Sequence, residues 1–197
     1  MKKVFIVLCL LLLCGCSVVR IDTNDIDNII GVVLSKNNTL YNQIGKGYKY
    51  YIPRGVNYID SNDYNDVLYS NGIYYYLYID VVSYYYNVAN EYTEKDVYYS
   101  KKININDKIG YLEINKQEDK YLIEFMYNYA KIEAIVKEED INDVILNASY
   151  ILSTIKFNNN IIKTMIDDEF LSGAEKYDIF ETKGDSGNFL KLNEEVE

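Results

Sequence analysis

The residues best suited to chemistry in this sequence are carboxylates and phenols, and their usual partners are missing. The chain contains no histidine, which removes the commonest general base and the commonest metal ligand. Its cysteines are Cys9, Cys14 and Cys16, all close to the N-terminus. From Ser17 onward there is no thiol for nucleophilic catalysis, disulfides, or zinc and iron–sulfur ligation. What remains is the pairing of Asp and Glu side chains, a chemistry that glycoside hydrolysis performs without histidine and that needs two carboxyls about 5–10 Å apart. The acid runs Glu138-Glu139-Asp140 and Asp167-Asp168-Glu169 are expected at helix starts or on exposed faces.

Tyrosine is the other unusual resource. The chain has 23, clustered at Tyr48/Tyr50/Tyr51, Tyr74/Tyr75/Tyr76/Tyr78 and Tyr84/Tyr85/Tyr86. A tyrosine offers apolar area and a hydroxyl at low entropic cost, so an exposed row of them suits glycans and protein partners. The competing account is that the sequence uses tyrosine wherever a strand or core needs an aromatic. Tyr74, Tyr76, Tyr78 and Asp80 are the candidate binding surface; Asp80, a carboxylate among phenols, must be solvated or hydrogen-bonded. Asp60-Ser61-Asn62-Asp63-Tyr64-Asn65-Asp66 offers oxygen ligands for calcium, but Tyr64 occupies a ligand position of the EF-hand pattern and the required glycine is missing, so a solvated loop is expected. Gly184-Asp185-Ser186-Gly187 resembles the segment around a chymotrypsin-type nucleophile. With no histidine to act as base, and in a polar tail, it is expected to be a turn. No motif calls for a cofactor or a metal.

The N-terminus carries an address. Lys2 and Lys3 precede an unbroken apolar run from Val4 to Cys14, too short for the ~20 residues that a membrane-spanning helix needs and suited to the core of a secretory signal. The run ends in Leu13-Cys14-Gly15-Cys16, which resembles the lipobox of bacterial lipoprotein precursors. That resemblance implies that Cys16 receives a diacylglyceryl group and that cleavage follows Gly15. Residues 1–15 are then a signal peptide and 16–21 a tether that reaches at most ~20 Å when extended. Two acyl chains anchor stably where one would not.

Loss of Lys2 and Lys3 deepens the formal charge of −10 by two. Such an acidic protein is repelled by phosphate backbones, which disfavours nucleic acid as a partner, and by anionic headgroups, so the lipid must supply membrane attachment. The abundance of Tyr, Asn, Ile and Lys matches the codon bias of an AT-rich genome and fits a Gram-positive bacterium of low GC content.

The elements that position these residues are legible from periodicity. Asp22 or Thr23 can cap a helix whose apolar face is Ile26, Ile29, Ile30, Val33 and Leu34. Strands are predicted at Tyr48 to Ile52, Val56 to Asp60, Ile73 to Tyr86, Val97 to Ile103, Ile109 to Ile114, Tyr121 to Tyr127 and Tyr129 to Val136, with turns at Asn71-Gly72, Gln117 to Lys120 and Asn128. Along the third of these, Ile73, Tyr75, Leu77, Ile79 and Val81 share the core face, and Tyr74, Tyr76, Tyr78, Asp80 and Val82 the other. Close spacing makes the strands hairpins and the sheet antiparallel. A helix capped by Asp140 carries Ile141, Val144, Ile145, Ala148, Ile151, Leu152 and Ile155, and ends near Phe157. A weaker helix from Ile161 to Leu171 and a polar end at Leu192 to Glu197 follow.

The expected architecture is α+β: one domain over residues 22–157, an antiparallel sheet flanked by helices, with a C-terminal extension over 158–197. It resembles the PsbP/Mog1-like sandwich in two stretches, Gly47-Tyr48-Lys49-Tyr50-Tyr51-Ile52-Pro53-Arg54-Gly55 and Ala148-Ser149-Tyr150-Ile151-Leu152-Ser153-Thr154-Ile155-Lys156-Phe157. That resemblance implies an accessory or binding role and brings no catalytic residues. The expectation is therefore a non-catalytic, lipid-anchored envelope protein that binds another envelope protein or a cell-wall polymer. A carboxylate-based hydrolase of envelope glycans and a purely structural assembly factor are the alternatives.

Overall fold

A computed structural model describes residues 20–62 and 65–172. Cys16, the Gly184 to Gly187 segment and the polar end from Leu192 lie outside the described residues. The fold is α+β, built on antiparallel sheets.

The first helix, α1, spans Ile26–Ser35 and buries Ile29, Ile30, Val33 and Leu34. Its cap is Asp25, whose carboxylate accepts from the Asp27 N–H at 2.9 Å, and not Asp22 or Thr23. Asp22 instead closes a turn on Asn24. Strands β1 (Gln43–Ile44) and β2 (Tyr48–Tyr50) form a hairpin. Strands β3 (Asn57–Asn62), β4 (Asn65–Ser70) and β5 (Ile73–Ile79) then make a meander.

The stretch from Ser61 to Asp66, expected as a loop, is therefore mostly strand, with Ser61 paired to Asp66 and Asn62 to Asn65. Asp60 is exposed and accepts from the Ser61 N–H, whereas Asp66 is buried. The two acids at the ends of the candidate calcium segment are thus committed to different surroundings.

The longest expected strand is also corrected. It ends at Ile79, and Val81–Tyr86 is a short helix, α2. The aromatic and β-branched composition favours a strand there, but Asp80 Oδ1 accepts from the Ser83 N–H at 2.8 Å and starts a helix. Asn87, at φ 51°, closes it in the left-handed conformation.

Strands β6 (Tyr99–Ile105), β7 (Lys108–Gln117), β8 (Lys120–Tyr127) and β9 (Ala130–Val136) form a second meander. Two of their three joints, Asn106-Asp107 and Asn128-Tyr129, and the joint Asn71-Gly72 between β4 and β5 are two-residue turns led by asparagine with both residues at positive φ, the backbone that matches strand twist; in the third, Glu118-Asp119, it is Glu118 that takes positive φ, at 53°. A 3₁₀ turn (Glu138–Asp140) leads into α3 (Ile141–Thr154). Asp140 holds the cap position but makes no side-chain capping bond. The chain beyond α3 is not helix to Phe157: Lys156–Phe157 is β10, and α4 follows at Asn159–Ser172.

β5 pairs with β9, which joins the two meanders into one seven-stranded sheet of order β3-β4-β5-β9-β8-β7-β6. A smaller sheet, β1-β2-β10, stands beside it. α1 and α3 pack together over one face of the large sheet, where Leu77, Ile132, Phe125 and Leu112 are successive cross-strand partners. All four are fully buried, each contributing roughly 1.5–3 kcal/mol. Ile162 of α4 joins this core, so the C-terminal extension is packed against the domain at its start.

Candidate functional site

The opposite face of the large sheet is where the sequence's chemistry collects. Side chains alternate along each strand, so the register fixes which residues share that face. One row across it is Val67, Tyr76, Glu133, Glu124, Glu113 and Ser100, contributed by β4, β5, β9, β8, β7 and β6 in turn. A neighbouring row is Tyr78, Lys131, Met126, Tyr111 and Lys102. Three glutamates from separate strands thus stand side by side. No local sequence motif joins them, and only correct strand register could have predicted their meeting.

Each glutamate is satisfied differently. Glu113 is buried and accepts from Tyr92 Oη at 2.7 Å, Asn115 Nδ2 at 2.8 Å and Lys95 Nζ at 3.1 Å. Burial pushes its carboxyl up, but the hydrogen bonds from Asn115, Lys95 and Tyr92 outweigh that and hold it below the usual glutamate range. Glu133, also buried, is paired with Lys131. Glu124 stands between them with its carboxyl above the usual range, raised first by burial and then by the flanking charges of Glu133 and Glu113, against the pull of Lys131. The phenols around this row stay protonated at neutral pH: burial, followed by the nearby glutamates, raises Tyr78 and Tyr111.

Half of this face is covered by a strap. The connection from β5 to β6 leaves α2 and crosses to the far edge of the sheet, and Tyr92 in it stacks on Tyr111 with ring centres 4.2 Å apart and planes 4° from parallel. Tyr92 Oη also lies 2.7 Å from Ser100 Oγ. Lys95 and Glu94 fasten the strap to Glu113 and to the Lys102 N–H.

The other half carries the expected aromatic surface in altered form. Tyr74 is 49% exposed and Tyr78 is half-buried, as an accessible face requires. Tyr76 is only 6% exposed and serves as a support. Asp80 has left the strand to cap α2, and its Oδ2 is buried without a hydrogen-bond partner. The row is completed by Tyr69 of β4, whose ring lies 5.0 Å from that of Tyr74, which in turn stacks on Tyr76 at 6.4 Å.

Comparison with known protein families, with curated proteins and with solved structures finds no match for the chain.

Two further features bear on the site. The tyrosine cluster at β2 is structural: Tyr50 is buried and its Oη donates to Asp66 Oδ2 at 2.6 Å, tying the small sheet to β4. The carboxylates that a glycan hydrolase would need are side by side in the Glu113, Glu124 and Glu133 row.

Proposed function

We propose that this chain is made as a bacterial lipoprotein precursor and acts as a non-catalytic, lipid-anchored domain on the extracytoplasmic face of the cell membrane. On this reading Cys16 carries the lipid, and the open half of the sheet, with Tyr69, Tyr74 and Tyr78, meets an envelope protein or a cell-wall polymer. The observation that carries the binding role is the row of rings on β4 and β5, led by the half-exposed Tyr74 and backed by the buried Tyr76. Rigid aromatic area of this kind favours association at little entropic cost. Among the described residues no helix is long and apolar enough to cross a membrane; the assignment of attachment to a lipid rests on the lipobox-like Leu13-Cys14-Gly15-Cys16.

The PsbP/Mog1-like likeness belongs to the same proposal. Its support is that the two stretches of sequence bearing it are neighbours in space: Lys156 pairs with Lys49 and Phe157 with Tyr48, and Thr154 Oγ1 accepts from the Tyr51 N–H at 3.0 Å.

The test has two arms. Cys16→Ser is expected to abolish processing and release the protein from washed membranes; continued processing and membrane fractionation would overturn the anchor. Tyr69→Ala/Tyr74→Ala is expected to cut recovery of envelope partners or glycan from detergent-solubilised membranes at least tenfold, and unchanged recovery would overturn the surface. One observation favours the alternative of a carboxylate hydrolase: Glu124 and Glu113 are displaced in opposite directions, the pattern of an acid and base pair. Glycan cleavage lost in Glu124→Gln would establish that reading.

A further inference from the structure

Lysines gather at one end of this acidic protein. Acids outnumber basic residues by 30 to 20. Yet Lys49 and Lys156 face each other directly in the β2–β10 register, an arrangement that destabilises a strand pair when the charges are alike. Among the described residues neither is paired with a carboxylate; Lys49 Nζ lies instead 3.9 Å over the ring of Tyr41. Lys108 is close enough that burial and then the charge of Lys156 hold its ammonium below the usual lysine range.

The two lysines border a groove of about 470 Å³, within the size range of sites for small ligands. One wall is the stacked pair Tyr84 and Phe157, with ring centres 3.9 Å apart and planes at 14°. Tyr48, buried behind it, and Asn158, Asn159 and Asn160 at the start of α4 also line the groove. Asn158 Oδ1 already accepts from the N–H groups of Asn160 and Ile161, so charge recognition falls to the lysines. The groove is held open by tight packing. A side chain at Gly45 would overlap the Tyr48 ring, and Gly47, at φ 84°, has Ile162 of α4 2.7 Å from where a Cβ would stand.

We propose that this groove binds an acidic glycan, with its anionic group held between Lys49 and Lys156, its ring against the aromatic wall and its hydroxyls at the asparagine amides. Cations, amides and aromatic rings converging on one open groove match an acidic sugar better than a bare anion or an apolar body. The placement favours a polymer over a lipid headgroup. α3 runs from the end bearing Glu138 and Glu139, which also lines a hollow with Asn24 to Asp27, to the end bearing Lys156; its 14 residues cover about 21 Å. A lipid at Cys16 would set the acidic end against the membrane and direct the groove away from it. That choice of source rests on the proposed anchor; the anion site does not.

The test is calorimetric titration of the full-length protein in neutral detergent with three probes: a uronic-acid oligosaccharide, a phosphodiester-linked hexose oligomer and a neutral cello-oligosaccharide. One or both acidic probes are expected to bind at least tenfold tighter than the neutral one, weakening as salt rises, and their ranking distinguishes a carboxylate from a phosphodiester polymer. Lys49→Gln/Lys156→Gln is expected to lose binding at least tenfold while its Tm stays level or rises, because a like-charge pair has been removed. Lys116→Gln/Lys120→Gln, at the far end of β7, should bind as the parent does. Equal binding of neutral and acidic probes, or full binding by the Lys49/Lys156 variant, would overturn the proposal. Inorganic phosphate competing as well as the oligomers would overturn its glycan part. Lysine-dependent capture by phosphatidylglycerol nanodiscs, with no oligosaccharide binding, would reassign the site to headgroups.

Discussion

Replacing Glu113 with glutamine should loosen the strap before it weakens the core. Tyr92 donates to a buried carboxylate at 2.7 Å, a bond worth about 1.5–3 kcal/mol to a charged acceptor and about 0.5–1.5 kcal/mol to a neutral one. The loss on neutralisation is therefore ~1 kcal/mol. Lys95 is 47% exposed, so its ion pair adds only ~0–1 kcal/mol. Glu113→Gln should thus cost about 1–2 kcal/mol. Glu113→Ala should cost about 2–4 kcal/mol, since it strips partners from Asn115 and Tyr92 in a buried setting.

Urea unfolding followed by far-UV circular dichroism measures the total, and amide hydrogen exchange locates it. Residues 88–98 should lose protection in Glu113→Gln while α3 keeps it. The cycle with Tyr92→Phe should show ~1 kcal/mol of coupling, because the two side chains share one bond. The sign with pH is fixed too. Glu113 sits below its unfolded range in the fold, so its contribution is present above that range and fades as pH falls through the folded value. Fully additive single substitutions, or destabilisation with unchanged exchange in the strap, would refute the latch.

Glu124→Gln should behave in the opposite way. Its carboxyl is raised in the fold, so ionisation opposes folding; the penalty is absent below the unfolded range near ~4.3 and grows as pH rises through the folded value. The Tm of the variant should exceed that of the parent at neutral pH, and the gap should close at pH 3.5. Two glycines should also diverge under scanning calorimetry. Gly110→Ala would drive a Cβ into the Met126 carbonyl on β8 and should cost about 1–3 kcal/mol, whereas Gly31→Ala, on the exposed side of α1 with nothing near, should gain about 0.5–1 kcal/mol.

Periodicity revealed most of the scaffold because each element carries its own record of burial. The apolar face of α3 and the alternation along β5 to Ile79 are local facts, and Asn71-Gly72 marks a turn wherever it occurs. What escaped was decided by tertiary contacts or by single caps. The aromatic composition of residues 81–86 favours a strand, yet one Asp80 to Ser83 bond begins a helix. Asp66 reads as a solvated loop acid until Tyr50, sixteen residues earlier, is placed over it. The glutamate row is invisible for the same reason: Glu113, Glu124 and Glu133 lie in three strands and become neighbours only through register.

That row also explains why the open surface lies where it does. Three carboxylates abreast repel one another, and the fold resolves this by giving Glu133 a lysine from its own strand, Glu113 a phenol and a lysine from the strap, and Glu124 a raised affinity for its proton. The strap's composition is accordingly set by the sheet beneath it: Tyr92 and Lys95 are where they are because Glu113 must be answered. A partner approaching over β7 would have to displace those bonds and expose a buried charge, at a cost of several kcal/mol. Approach over β4 and β5 displaces nothing so expensive, since Tyr69 and Tyr74 rest chiefly on one another and on Tyr76. On the proposed binding role, the electrostatics of one half of the face would direct a partner to the other.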